Sequence, residues 1–164
     1  MTVIGCDPQV ASPAFATWPA RETWQLKIEG EGAVRLCALY AATYEWAVAN
    51  APDDLQACFI ERPFGRFNKQ ALDHACGVLQ VALVHGLSRH FSHPVSVFEI
   101  STGTWKKEAL GSGRAKKDDV KLWAIEQRHK AITQDEADAL AIACAGYMLL
   151  STGEATTKGA TTDA

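Results

Sequence analysis

Val3-Ile4-Gly5-Cys6-Asp7-Pro8 opens the chain as a short apolar run that ends in one carboxylate and stops at a proline. A run of this length bounded by a breaker reads as a buried strand, and Pro8 has no N–H with which to extend a ladder. Asp7 is thereby expected at the exit of a central strand. Two later segments repeat the theme. Ala57-Cys58-Phe59-Ile60-Glu61 is a second apolar run ending in a carboxylate, and Gln134-Asp135-Glu136-Ala137-Asp138 opens an alanine-rich helical pattern. These carboxylates are expected to converge on divalent metal.

Outward from Asp7, residues 11–28 carry two Pro and two Trp with patchy alternation. They read as one or two further strands with a turn near Trp18-Pro19-Ala20-Arg21. From Ala33 the apolar spacing becomes three and four. Val34, Leu36, Cys37, Tyr40, Ala41, Tyr44, Ala47 and Val48 form the stripe of a helix that ends before Asn50-Ala51-Pro52. A strand from about Leu55 to Ile60 follows, too densely apolar to have a wet face. A long helix is expected over about 68–87, with Ala71, Ala75, Val78, Leu79, Ala82 and Leu83 as its buried stripe. Its small residues Ala75, Gly77 and Ala82 suit either packing on a sheet or a dimer contact.

The next strand spans 95–100, and residues 101–113 read as an exposed basic loop. A helix covers about 116–129 with Val120, Leu122, Trp123 and Ile125 near its apolar face. Thr133 and Glu136 have the spacing of a capping box for a last helix to about Leu150. Strands first, then strands alternating with amphipathic helices, indicate an α/β domain with a mixed sheet.

The chain of 164 residues is long enough for one well-cored domain, expected over 1–150, and the Thr/Ala/Gly-rich residues 151–164 read as a disordered tail. No apolar run approaches the roughly 20 residues that cross a bilayer, and the N-terminus lacks the basic-then-apolar order of a signal peptide. With Cys6, Cys37, Cys58, Cys76 and Cys144 scattered in apolar contexts and no CxxC pair, reduced buried thiols in the cytoplasm are expected. Net charge is -3, yet eight of the 16 Lys and Arg lie between Trp105 and Lys130. Such a face suits a phosphate backbone, and it equally suits a solvated helix laced with ion pairs. Trp105 in this stretch is either a stacking residue or an anchor for its loop. Trp18, Trp24, Trp46 and Trp123 read as packing residues, and the five histidines carry no ligand pattern.

Asp135 and Asp138 are three apart and so share a helix face, both in the first turn, where backbone N–H groups favour negative charge. Capping alone accounts for acids there. The helix behind them is apolar nearly all round, however, and an acidic pair at the buried end of such a helix repels itself unless a cation compensates. Asp7 and Glu61 pose the same problem. Four carboxylates make a hard, oxygen-rich set suited to Mg²⁺ or Mn²⁺.

Val3 to Pro8, Ile60-Glu61 followed by Phe64, the Gly111-Ser112-Gly113 to Lys117 loop, and Asp135-Glu136-Ala137-Asp138-Ala139-Leu140-Ala141-Ile142-Ala143 together resemble the RuvC-type Holliday-junction resolvases, of the ribonuclease H-like superfamily. The resemblance runs in order over about residues 2–146, and the aspartate three before D-A-L-A-I-A is its most specific piece. It implies a ribonuclease H-like fold, with a central mixed five-stranded sheet flanked by helices on both faces. It also implies a homodimer that nicks a four-way DNA junction symmetrically, leaving 5′-phosphate and 3′-hydroxyl ends. Asp7, Glu61, Asp135 and Asp138 would hold two Mg²⁺ ions, with Mn²⁺ able to substitute. Phe64 matches an aromatic that stacks at the opened junction, and Lys117 matches a phosphate contact at a helix start. Lys106 and Lys107 match more approximately. Arg66, Lys69, Arg114 and Lys116 complete the expected DNA contacts, read from charge and position.

The chain departs from the family where Gln9 replaces the glycine after Asp-Pro, where VASPAFATW lacks a glycine-rich strand, and where Arg62 to Phe67 is unusually basic and aromatic. Those departures suit a divergent, phage-type member. A broader flap, fork or RNA–DNA hybrid nuclease on the same fold, and a non-catalytic DNA-structure-binding module, are the competing readings.

Overall fold

The computed structural model describes residues 1–63, 69–92, 95–128 and 130–153. Its centre is strand β1, Thr2–Asp7, in which every residue is buried. Ala14–Trp18 forms β2 and Thr23–Gln25 forms β3. The turn between them contains a cis Trp18–Pro19 peptide and Arg21 at φ 62°. Leu55–Glu61 forms β4 and Ser96–Ile100 forms β5. The sheet order is β3-β2-β1-β4-β5, with β1, β2 and β3 antiparallel and β1, β4 and β5 parallel. The expected mixed five-stranded sheet is present. Its three central strands, β2, β1 and β4, are the buried ones, and the edge strands β3 and β5 are more exposed.

Helices α1 (Gly32–Asn50) and α2 (Lys69–Leu87) cover one face of the sheet. There they pack on Ile4, Cys6, Phe15, Cys58 and Ile60. Helices α3 (Thr102–Leu110), α4 (Lys117–Arg128) and α5 (Gln134–Ser151) build the other core around Val3, Ala16, Ala57 and Phe59. Strand side chains alternate, so Val3, Gly5 and Asp7 share one face, as do Ala57, Phe59 and Glu61. Cys6 pairs with Ile60, and the next residues, Asp7 and Glu61, leave the sheet together on the α5 side.

Helix α5 is buried nearly all round, from Ala137 to Gly146. Two glycines let it sit so close. A Cβ on Gly5 would collide with the Ala139 carbonyl oxygen and the Ala143 nitrogen, and one on Gly146 would enter the Phe59 ring. The capping box is formed as read: Thr133 Oγ1 accepts from Glu136 N at 3.2 Å, and Thr133 N donates to Glu136 Oε2 at 2.9 Å.

Four expectations change. Residues 102–110 are helical, with Ser101 as N-cap and Gly111 closing the end at φ 77°. Gly103 and two threonines depress helix propensity there and obscured the caps. Asp138 lies one residue past the first turn, whose acids are Asp135 and Glu136. The buried face of α1 is Leu39, Thr43, Trp46 and Ala47, with Val34 exposed, so the stripe read from the sequence is rotated off the core. Leu122 and Cys37 are likewise exposed. Tyr40 and Cys37 instead line, with Leu36, Gly77, Val78 and Val81, an open apolar groove of about 770 Å³ between α1 and α2. On α2, Gly86 is the point of close approach, where a Cβ would lie 2.7 Å from that of Ala47. The four remaining cysteines are buried and unbridged, as expected. Trp18 stacks on Trp123, and Trp46 packs against Phe15 and Trp24.

A candidate metal centre of four carboxylates

Asp7 is 2% exposed, and among the described residues its Oδ2 has no hydrogen-bond partner. Among the same residues Oδ1 receives only a long contact, 3.5 Å, from Gln9 Nε2. An unsatisfied buried acceptor costs about 1–3 kcal/mol, and more when charged. Burial, followed by the negative charges of Glu61, Asp138 and Asp135, pushes the Asp7 carboxyl well above its ordinary 3.8. The three carboxylates singled out in the sequence are thus the ones that repel Asp7.

Each of the three is held by a different neighbour. Glu61 Oε1 accepts from Thr102 Oγ1 at 2.5 Å and from Trp105 Nε1 at 3.0 Å. Asp135 Oδ2 accepts from Gln25 Nε2 at 2.7 Å, which ties α5 to β3. Asp138 Oδ1 accepts from Gln134 Nε2 at 2.9 Å. Burial pushes Asp138 up to about 6; Glu61 adds to the shift, while the Gln134 bond and the charges of Lys117 and Lys106 oppose it. Glu136 shows the contrast. Despite partial burial, bonds from Thr133 and Thr23 and the charge of Arg128 hold it below its ordinary value. It is the N3 member of the Thr133 capping box, with donors and a cation to answer its charge.

Among the described residues, no three His, Cys, Asp or Glu side chains stand together at metal-ligating distance. Like charges spread over local donors rather than close up. The donor set nevertheless fits a hard divalent cation. It consists of carboxylate oxygens, one of them buried with an unused lone pair, coupled electrostatically and, among the described residues, outside any salt bridge.

The basic residues fall into two groups. Lys107, Arg114, Lys116 and Lys117 are exposed along α3, the following turn and the start of α4. Lys106 is more enclosed: its Nζ donates to the Ala115 carbonyl at 2.8 Å and lies 5.4 Å from the Trp105 ring centroid. Lys69 is exposed and paired with Asp73 at 2.7 Å. Phe64 and Arg66 lie outside the described residues. Trp105 is 1% exposed, which excludes a base-stacking role and makes it an anchor. The loop expected over residues 101–113 does not foretell the Trp105 bond to Glu61 or that of Thr102. The Ser101 and Gly111 caps were the signal that could have found them.

No family model matches the chain. Two RuvC crossover junction endodeoxyribonucleases of Legionella pneumophila, strains Philadelphia 1 and Lens, are 40% identical to it over 80 residues, 47% of this chain. The match spans 42% of those relatives' length. Thermus thermophilus RuvC superposes with a TM-score of 0.72 at 23% identity, covering 94% of this chain and 98% of that one. The same protein in complex with a Holliday junction substrate gives 0.73 at 21%, covering 94% and 97%. The fold is therefore that of RuvC, and the sequence is RuvC-like over the 80 residues.

Proposed function

We propose that this chain, RuvC-like in sequence and RuvC-folded, is a metal-dependent endodeoxyribonuclease that resolves four-way DNA junctions by paired symmetric nicks. The observation that carries the reading is Asp7: a buried carboxylate at the end of the central strand, with an unpartnered oxygen, repelled by three further carboxylates. A fold tolerates that arrangement where a cation is to be held. Asp7, Glu61, Asp135 and Asp138 would hold two Mg²⁺ ions, with Mn²⁺ able to replace them. When bound, such a pair activates water and stabilises the leaving 3′ oxygen in phosphodiester hydrolysis, giving 5′-phosphate and 3′-hydroxyl ends.

The protein's own residues do the rest. Asp7, rigid on β1, fixes the centre of the donor set. Lys117 and Lys106 already offset charge at Asp138, and on the same face Lys107, Arg114 and Lys116 supply the cations that hold a phosphate backbone. Symmetric nicks require two copies of the site, and the apolar groove between α1 and α2, on the face opposite α5, suits the pairing surface. Among the described residues no helix is long and apolar enough to cross a membrane.

The test is cleavage of a labelled four-way junction beside a flap, a fork and linear duplex, with Mg²⁺ and with chelator. Paired nicks confined to the four-way junction are expected, abolished by chelator and by Asp7→Asn, which should still bind the junction. Cutting of every branched substrate would move the function to a broader structure-selective nuclease. Wild-type cleavage by Asp7→Asn would overturn the assignment of the site.

A further inference from the structure

We infer that Thr102 and Trp105 of α3 are positioning residues that fix the Glu61 carboxylate for cation binding. The inference rests on the metal-site reading above and deepens it. Two donors from consecutive turns of one helix meet the same oxygen, Oε1. Oε2 accepts no hydrogen bond among the described residues, so one oxygen is anchored and the other is left to a ligand.

The two donors are chemically unambiguous toward a carboxylate. An indole N–H can only donate, and a hydroxyl facing an ionised carboxylate donates as well. Neither is free to wander. Trp105 is fully packed among Ile100, Val120 and the α5 alanines, and Thr102 is the first residue of α3 behind the Ser101 cap. The middle of α3 is tied to the turn that follows it by the Lys106 bond to Ala115. Glu61 itself sits where β4 ends, clamped to β5 by the Arg62 N–H donated to the Ile100 carbonyl at 2.8 Å. A glutamate has one more rotatable bond than an aspartate and loses more freedom when a cation orders it. The α3 donors remove that freedom in advance, which Asp7 does not require because its strand buries it. The function assigned to α3 is therefore to set the geometry of one metal-holding carboxylate, 41 residues away in sequence from Thr102 and 44 from Trp105.

The experiment compares the full-length wild type with Thr102→Val, Thr102→Ser, Trp105→Phe and Glu61→Gln. Free Mn²⁺ is followed by electron paramagnetic resonance, and the Mg²⁺ concentration giving half-maximal junction cleavage is measured alongside. Unfolding midpoints in chelator select the variants that are folded. Thr102→Val and Trp105→Phe should weaken Mn²⁺ binding and raise the Mg²⁺ half-point about 10- to 100-fold, with Thr102→Ser within about twofold of wild type. Cleavage at saturating Mg²⁺ should change far less than the half-point. Unchanged Mn²⁺ affinity in folded Thr102→Val, while Glu61→Gln loses it, would overturn the positioning role and leave the metal site standing. Equal loss in Thr102→Val and Thr102→Ser would overturn it too, since the hydroxyl would then not be the cause. A wild type that binds no Mn²⁺ would overturn both readings.

Discussion

The ends of β1 and β4 lie side by side and carry the same kind of group, yet they treat it in opposite ways. Asp7 is buried, has one oxygen without a partner, and is pushed strongly toward its neutral form. Glu61 is half-buried and has two donors on one oxygen. The difference follows from what lies opposite each strand end. Above β1 lie the tightly seated backbone and carboxylates of α5, with one long contact from Gln9; beyond β4 lies α3, with side chains that donate. The centre is thus built from a rigid strained member and a rigid satisfied one. Rigidity does not require satisfaction if the surrounding core supplies it.

The closeness of α5 offers the largest way to break the comparison. Gly5→Ala would drive a Cβ into the backbone of α5 at Ala139 and Ala143, which cannot yield without moving the helix. Gly146→Ala would meet the Phe59 ring, a side chain that can turn. Chemical denaturation should show Gly5→Ala destabilised by about 3 kcal/mol or more, and Gly146→Ala by about 1–3 kcal/mol. Equal losses would mean that both contacts relax alike.

The titration of the site comes next in size. Asp138 has a raised pKa, about 6 against an ordinary 3.8, so the folded state binds its proton more tightly than the unfolded state. Its contribution is fully present below about pH 4 and lost as pH rises through 6, on the order of 3 kcal/mol in all. Metal-free protein should therefore lose stability between pH 4 and 7 more steeply than Asp138→Asn. A parallel pH profile for the two proteins would refute the linkage.

The direct contrast between the two strand ends is smaller. In chelator at neutral pH, Asp7→Asn should raise the melting temperature by removing an unanswered buried charge. Glu61→Gln, which weakens two satisfied bonds, should leave it unchanged or lower it. A gain of about 1–2 kcal/mol for Asp7→Asn corresponds to roughly 2–8 °C in a chain of this size. Added Mg²⁺ should then stabilise the wild type and not Asp7→Asn. Least of all, Lys69→Ala should cost under about 0.5 kcal/mol, because its pair with Asp73 is an exposed i,i+4 contact.

Much of this was legible in the residues. The Asp7-Pro8 stop, the unbroken apolar run to Glu61 and the Thr133/Glu136 box each express a local rule, and local rules survive folding because they depend on neighbours in the chain. The misreadings share a cause as well. The stripe on α1 looked like a core face because a second apolar surface, the groove with α2, shares the helix with the real one, and periodicity does not say which of two faces turns inward. Segment 102–110 looked like a loop because its polar and glycine residues outweighed its caps.

By itself the sequence determined the order of β1, β4 and β5 and of every helix but α3, the four carboxylates at their ends and the basic stretch beside them, because each is written in composition, spacing and capping. Only the tertiary structure decided that Trp105 is buried, that it and Thr102 share one oxygen of Glu61, and that Asp7 Oδ2 is buried without a hydrogen-bond partner among the described residues. Those facts depend on which side chains meet across 40 to 130 residues of chain, from Thr102 and Trp105 to Glu61 and from Asp7 to Asp135 and Asp138. Such meetings are set by the packing of α3 and α5 on the sheet, which no local pattern encodes.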